Sequence, residues 1–402
     1  LITIRRGSSM PNTVILSSAR TPFGKINGGL SRKSAVELGT IALQAAIERS
    51  RVEPDLIEHV AFGQALQGGA GQNPARQVGF NAGLLKTATS ETVNRVCGSG
   101  MRALAIVNMM IRLGDADLAA VGGMESLSNA PYALPKARAG YGSGDGVLVD
   151  LAINDGLVSV KDGCLMGQQG SAVAAEQGID RQAQDAWALR SHELALAAID
   201  RGRFEREIVP VTISDRKGSV TVDRDEGPRR DTSMEALARL KPAFGEDSTV
   251  TAGNAPGLND GTVALVVASD AWAEDHGVEI QATILGYGHA GWDPPYLAFT
   301  PAMATEKALA KACLTADDID LFEINEAFSS VPIISAARLG IPTDKVNING
   351  GAVALGHPFA ASGGRIVLTL IESLRERGGG TGVAAICSGG GLGDAVVLRV
   401  DG

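Results

Sequence analysis

The sequence predicts an α/β fold made of two duplicated halves, with a separate lobe inserted into the first, and three observations carry that reading. A strand at 118–121 ends in Gly122-Gly123, and a strand at 383–386 runs into Ser388-Gly389-Gly390-Gly391. A helix opens ahead of each, at Ser99-Gly100 and at Ser362-Gly363, and Pro54-Asp55-Leu56-Ile57 has its counterpart in Ala316-Asp317-Asp318-Ile319. Between the two runs, residues 129–257 lack this grammar and hold a glycine-rich stretch, a long polar helix at 180–201 and a charged loop at 223–231. Internal repetition of one supersecondary plan with a dissimilar middle is the mark of duplication plus insertion. The expected boundaries are 11–128 with 258–279 for the first half, 129–257 for the inserted lobe and 280–402 for the second half.

Taken in order, 14–17 is a short apolar strand closed by Arg20-Thr21-Pro22-Phe23-Gly24. Ser34 with Glu37 three residues on is a capping box, and Leu38, Ile41, Ala42, Ala45 and Ile47 give the following helix its apolar face. A strand at 57–62 and a helix starting at Asn73-Pro74 come next. Ala103, Leu104, Val107, Met110 and Ile111 recur at spacings of three and four, which buries one stripe of the helix that opens at Ser99. The strand at 263–268 returns the chain to the first half. In the second half a helix ends over 307–312, a strand fills 321–324, and Ile366, Leu368, Leu370, Ile371 and Leu374 line the helix from Ser362. Residues 1–9 show no pattern that joins the next strand and read as an appended remnant, with Met10 as the natural start.

A chain of 402 residues exceeds the roughly 250 to 300 at which single cores stop growing, so more than one core is expected. A net charge of −9 argues against nucleic acid or an anionic membrane as the main partner. The four cysteines, at 97, 164, 313 and 387, form no C-x-x-C pair, which favours a reducing, cytoplasmic setting over a disulfide scaffold. Five histidines without a paired spacing propose no metal site. Gly286-Tyr287-Gly288-His289-Ala290-Gly291 matches G-x-G-x-x-G, but Trp292-Asp293-Pro294-Pro295 follows, so no helix opens there to hold a pyrophosphate.

Chemistry concentrates in four stretches. Val96-Cys97-Gly98-Ser99-Gly100 puts a thiol at a strand-to-helix turn, where unpaired amides and the helix dipole favour a thiolate, so Cys97 is expected to have a lowered pKa. Gly356-His357-Pro358 fixes a histidine in a loop just before Ser362, the counterpart of the Cys97 position, and two facing halves would bring the pair together. Cys387 at a strand end, followed by three glycines, sets a second thiol beside bare backbone N–H groups, which suits acid/base work next to an oxyanion site. In Glu323-Ile324-Asn325-Glu326-Ala327-Phe328 the glutamates read as solvated or salt-bridged, while Asn325 could hold a water against a substrate carbonyl.

These stretches, VCGSGMRA, NEAF, GHP and CSGGGLG, together with RTPFGK, TAGN and NDG, resemble the thiolase family from about Val14 to Val400. The resemblance implies a five-layered α-β-α-β-α fold of two duplicated halves with an inserted loop domain, and an acyltransferase of fatty acid metabolism, on the side of β-oxidation, that cleaves 3-ketoacyl-CoA by covalent thioester exchange. It implies that Cys97 is acylated, that Cys387 transfers protons, that His357 activates Cys97, that Asn325 holds a water at the same oxyanion, and that the amides of Cys97 and Gly389 form a second oxyanion hole. Arg229, Met166, Phe244 and Phe328 match its coenzyme A contacts. Coenzyme A enters as a substrate, no cofactor or metal is needed, and a homodimer or homotetramer is expected.

Three positions depart from the family pattern: Leu165 replaces a histidine of short-chain members, Pro256 replaces a serine expected to bond the pantetheine arm, and Phe359-Ala360-Ala361 replaces Leu-Gly-Ala. Leu165 points to longer acyl groups through a more apolar wall, and Phe359 to acetoacetyl-CoA through a filled pocket; the longer 3-ketoacyl-CoA is the expected substrate and acetoacetyl-CoA, in the biosynthetic direction, the alternative. Outside enzymology, the alternatives are a non-catalytic acyl-CoA-binding protein and a redox switch joining Cys97 and Cys387.

Overall fold

The computed structural model describes residues 10–216 and 218–402. The expectation for residues 1–9 therefore lies outside the described residues. Two strand sets of like order stand side by side. In the first half Thr89–Val93, His59–Gly63 and Leu118–Ser126 run parallel, Asn259–Ser269 lies antiparallel to the last, and Thr13–Arg20 antiparallel to that. In the second half Leu321–Ile324 is parallel to Gly380–Ser388, followed by antiparallel Leu392–Val400 and Ala282–Gly291. The sets meet at a short antiparallel seam, Val14 opposite Thr283 and Ile15 opposite Ala282.

Because successive side chains of a strand point to opposite faces, each strand set feeds two cores. Ile15, Val121, Val263, Leu265, Ile386 and Leu398 face one shared central core. Val14, Leu16, Ala120 and Val266 face an outer core under the helices Ala35–Ser50 and Pro74–Asn81. Val383, Ala385 and Val397 face the opposite outer core, under Thr300–Ala312 and Ser330–Leu339. The central layer is a pair of helices, Ser99–Leu113 and Phe359–Glu376, packed on each other between the two strand sets. That makes five layers, α-β-α-β-α. The stretch Val96–Leu113 has the length and apolarity of a membrane-crossing helix, and here its apolar surface is taken up by the protein's own centre.

Glycine allows the two central helices to meet backbone to backbone. A Cβ at Gly100 would lie 2.6 Å from the Ala360 carbonyl oxygen, and one at Gly363 would lie 2.8 Å from the Met101 nitrogen. Any larger side chain would push the two helix openings apart.

Local signals read from the sequence explain most boundaries. Ser34 and Glu37 form the reciprocal capping box of Ala35–Ser50. Pro54–Leu56 and Ala316–Asp318 are both single 3₁₀ turns leading into a strand. The false dinucleotide fingerprint is the end of the strand Ala282–Gly291. One boundary differs: the second central helix begins at Phe359, three residues before Ser362, because Pro358 stands at its N-cap, where a missing N–H costs nothing.

Residues 129–257 carry the helices Met166–Glu176 and Arg181–Asp200 and the hairpin of Val211–Asp215 with Gly218–Val222. Buried charge ties this region to the halves. Arg20, fully buried, pairs with Glu207 at 2.8 Å and Asp225 at 2.7 Å. Glu326, expected to be solvated or salt-bridged, is fully buried and held by neutral donors instead. Its carboxylate accepts from Trp187 Nε1 at 2.9 Å, Ser191 Oγ at 2.8 Å, Asn347 Nδ2 at 3.0 Å and the Val353 amide at 2.9 Å. Glu323 forms the salt bridge that is one of its two expected states, with Arg365 at 3.1 Å, and the pair is buried. Glu326, just past the strand end, is covered by the polar helix 181–200, which a reading of the strand alone cannot reveal.

Candidate active site

Cys97 sits in a 3₁₀ turn, Val96–Gly98, that runs straight into the helix Ser99–Leu113. His357 follows the short helix Ala352–Leu355 and Gly356, whose φ of 112° and contact with the Asn259 side chain leave no room for a Cβ. Asn259 Oδ1 accepts the His357 amide at 2.9 Å and so fixes the loop. With the helix openings held together as described, His357 Nε2 comes to 3.2 Å from Cys97 Sγ. On the other side of the ring, Nδ1 lies 2.6 Å from Ser362 Oγ and 3.5 Å from Asn325 Nδ2.

The remaining expected residues close around this pair. The amides of Gly389 and of Cys97 itself reach the Cys97 sulfur. Cys387 is near enough that a thiolate at Cys97 would repel one at Cys387. Asn325 is fully buried and, among the described residues, its Oδ1 has no hydrogen-bond partner beside the imidazole. An orphaned buried amide oxygen is costly unless something visits it.

The expected thiolate at Cys97 is overturned by burial. Cys97 is 4% exposed, and desolvation pushes its thiol up to about 12 against the two amides, with the Glu125 carboxylate adding to the rise. Burial also holds His357 down at about 3, helped by the Arg365 guanidinium, and drives Cys387 well above the ordinary thiol range. At neutral pH the three groups stand as thiol, imidazole and thiol. The helix terminus and the amides favour the thiolate, but their effect is small beside desolvation of the whole turn.

Glu125 accounts for part of this field. Its fully buried carboxylate accepts the amides of Ala65 at 3.0 Å, Leu66 at 3.1 Å and Ala360 at 3.3 Å, and burial lifts it to about 7.

A cavity of about 600 Å³ opens onto Cys97, His357, Cys387 and Gly389, and Met166, Phe244, Phe328 and Arg229 line it too. Gly167 and Gly170 on the helix Met166–Glu176 make the space: a Cβ there would meet the Phe244 ring at 2.4 Å and the Phe328 ring at 3.1 Å. Arg229 is exposed and lends its amide to His192 Nδ1 at 3.2 Å. Pro256 and Phe359 line the cavity, whereas Leu165 is only half-buried, bridges Val158 through its backbone and is no part of the wall. Phe359 stands edge-on to His357, with ring centroids 5.6 Å apart.

Reading the sequence left three neighbours without a role. Ser362 was seen only as a helix opening, Asn259 only as part of NDG, and Glu125 not at all. Their signal is positional and appears only when the two halves face each other.

The comparisons with known proteins agree along the whole chain. The thiolase N-terminal domain matches residues 13–271 and the thiolase C-terminal domain residues 278–400. The acetyl-CoA acetyltransferase of Cupriavidus necator is 45% identical over 391 residues, 97% of this chain and 100% of that protein. The acetyl-CoA acetyltransferase of Escherichia coli K12 is 45% identical over 97% of this chain and 99% of its own length. Among solved structures, the acetyl-CoA acetyltransferase of Bacillus anthracis superposes with a TM-score of 0.95 at 40% identity, covering 98% of this chain and 99% of that one. Two matching domains that together span the chain, and relatives matched over nearly their full length, mean that this protein belongs to the thiolase family.

Proposed function

We propose that this thiolase cleaves short 3-ketoacyl-CoA substrates with coenzyme A, and runs the reverse Claisen condensation, through an acyl-enzyme on Cys97. The observation that carries it is the convergence of His357 Nε2 and the Gly389 amide on one buried thiol. Cys97 attacks the 3-keto carbon and its proton passes to His357 Nε2. The carbon–carbon bond breaks, and the acetyl-CoA enolate takes a proton from Cys387. Coenzyme A then gives its thiol proton to Cys387 and attacks the Cys97 thioester, and His357 returns its proton to the departing Cys97 sulfur.

Two neutral resting groups suit this sequence. Charge develops only in the transition state, where amides already in place stabilise it without reorganisation. Asn325 Oδ1, lacking a partner, would fix a water that donates to the thioester oxygen of the leaving enolate beside His357. Met166, Phe244 and Phe328 would bound the pantetheine path, with Arg229 at its mouth for a phosphate.

The acetoacetyl-CoA length fits the wall best. Phe359 fills the space beside His357, and Leu165, the residue that argued for longer chains, is no part of the cavity wall. The printed names of the relatives agree with a short acyl group. Homo-oligomeric assembly and a cytoplasmic setting belong to the same proposal; assembly is supported by the half-buried strand Thr89–Val93, which ends the sheet with no strand on its outer side among the described residues.

The test is thiolysis of 3-ketoacyl-CoA of graded length by the purified protein, followed as release of acetyl-CoA. Cleavage with the highest kcat/KM for acetoacetyl-CoA is the expected result. No cleavage at any length would leave the acyl-CoA-binding alternative standing.

A further inference from the structure

The turn that carries Cys97 is strained. Val96 has a φ of 48°, in the left-handed region, where a β-branched side chain is a rare outlier. Such a conformation persists only when its surroundings over-determine it, and the surroundings here can be named. Asn94 Oδ1 accepts the Val96 amide at 3.0 Å. Ser99 Oγ accepts the Arg95 amide at 2.8 Å and donates to the Val96 carbonyl at 2.6 Å. Asn94 is in turn anchored within the first half, its Nδ2 donating to the Ala65 carbonyl at 3.1 Å. The elbow is tied to the second half first through Arg95, whose Nε lies 2.8 Å from Asp394 Oδ2 as an ion pair, not aligned for a hydrogen bond.

Asp394 is fully buried on the strand Leu392–Val400, where it pairs in register with Ile386, one residue before Cys387. Tyr287 donates its hydroxyl to the other carboxylate oxygen, and Arg102 in turn donates to Tyr287 at 3.4 Å. The carboxylate also lies directly under the elbow. A Cβ on Gly98 would come within 2.9 Å of Asp394 Oδ2 and 2.5 Å of Ser388 Oγ, and that Ser388 oxygen accepts the Gly98 amide at 2.8 Å. On the far side, the Val96 methyls rest against Gly389, whose amide reaches the Cys97 sulfur.

We infer that Asp394 is a positioning residue: through Arg95 and the close seat of Gly98 it holds the strained Val96–Gly98 elbow, and thereby the Cys97 thiol, in register with His357 and the Gly389 amide. Asp394 is fully buried and lies outside the lining of the cavity. It acts by fixing one catalytic cysteine to the strand that neighbours the other, so that the two thiols keep their spacing. The inference rests on Cys97 being the nucleophile, as proposed above.

The experiment uses the full chain and reads Cys97 directly, by peptide mass spectrometry of its alkylation with iodoacetamide, beside steady-state thiolysis of acetoacetyl-CoA. Asp394→Asn keeps the shape and removes the charge. It is expected to lower kcat and the Cys97 alkylation rate together by at least ~10-fold, with the KM for coenzyme A within ~2-fold, since small misplacements of a reacting group cost one to two orders of magnitude. Arg95→Lys should recover part of what Arg95→Met loses. Glycine accepts a left-handed φ without strain, so in a Val96→Gly background the elbow needs less restraint, and Asp394→Asn should there change alkylation by less than ~3-fold. Should Asp394→Asn fail to fold, Tyr287→Phe loosens the same carboxylate without removing it, and a fall in alkylation of ~3-fold or more is expected.

An unchanged alkylation rate in folded Asp394→Asn, or in both Tyr287→Phe and Arg95→Met, overturns the inference. So does an equal loss in the parent and in the Val96→Gly background, which would make Asp394 a general prop of the fold. Alkylation needs no turnover, so a failure of the thiolase reading itself would show as absent thiolysis with the alkylation pattern intact.

Discussion

His357 Nε2 and Cys97 Sγ meet at 3.2 Å as two neutral groups, because the burial that joins them lowers the proton affinity of the imidazole and raises that of the thiol. An ion pair formed in advance would have to be desolvated with the site. A neutral pair waits for substrate and moves its proton when the carbonyl is in place.

Cys97→Ala should abolish acyl-enzyme formation, because no sulfur remains to hold the acyl group. Mass spectrometry after incubation with acetyl-CoA should find the adduct on Cys97 of the parent and none on the variant. Cys387→Ala should still acylate Cys97, while condensation and thiolysis fall by at least ~100-fold, the usual scale of one acid/base group. Equal loss of both steps would recast Cys387 as structural.

The pH dependence follows from the two shifts. His357 is held at about 3, below its ordinary 6.5, so its contribution to stability is present above about 6.5 and is lost as pH falls toward about 3. The thermal midpoint should decline across that window, and more gently in His357→Asn. The Cys97 thiol is raised from 9.0 to about 12, so its contribution is complete below 9.0 and disappears as pH rises through about 12. Alkylation at Cys97 should therefore keep rising past pH 9, and a plateau below pH 8 would show a thiolate that the buried site does not allow.

Phe359→Ala should open the acyl end of the cavity. Each extra buried methylene then contributes about 0.8 kcal/mol, roughly fourfold per carbon in specificity. The ratio of kcat/KM for a six-carbon 3-ketoacyl-CoA to that for acetoacetyl-CoA should rise accordingly. Because it is a ratio, any disturbance of His357 by the lost ring cancels. A ratio equal to that of the parent would mean another wall sets the length.

Glu326→Ala leaves four donors, on Trp187, Ser191, Asn347 and Val353, without their acceptor. At ~1 to 3 kcal/mol for each unsatisfied buried group, a loss of several kcal/mol is expected, seen as a fall in Tm or failure to fold. Trp187 and Ser191 lie on the helix Arg181–Asp200, so the KM for coenzyme A should rise in any folded fraction. A Tm within about 2 °C of the parent would rule this anchoring out.

What the sequence made legible was local or repeated. Ser34 with Glu37, the 3₁₀ turns at Pro54 and Ala316, and the glycine-flanked openings at Ser99 and Ser362 each carry their structural cause within a few residues. Placing Cys97 opposite His357 needed only the assumption that like halves face each other. The state of ionisation did not follow, since it depends on how much protein lies over the turn. Neither did the burial of Glu326, decided by a helix from the inserted region, or of Glu323, met by Arg365 on the second central helix, nor the standing of Leu165, one residue away from a true wall residue, Met166. Arg95 and Asp394 lie 299 residues apart (394 − 95), with no spacing to betray them.

The seam between Val14–Ile15 and Ala282–Thr283 is antiparallel, and it joins the strands that hold matching places in the two halves. An approximate twofold axis therefore passes through that seam and between the two central helices. A lone half would leave its central helix bare on one side, an apolar surface that calls for a copy of itself. A symmetric pair of identical halves would close the same five layers, yet both helix openings would then carry the same side chain, two thiols or two imidazoles. In one chain the two openings can differ: Ser99-Gly100 matches Ser362-Gly363, so Cys97 falls opposite Ala360 and the imidazole comes from three residues earlier, which lets proton donor and proton acceptor sit on separate, unlike segments that meet across the axis.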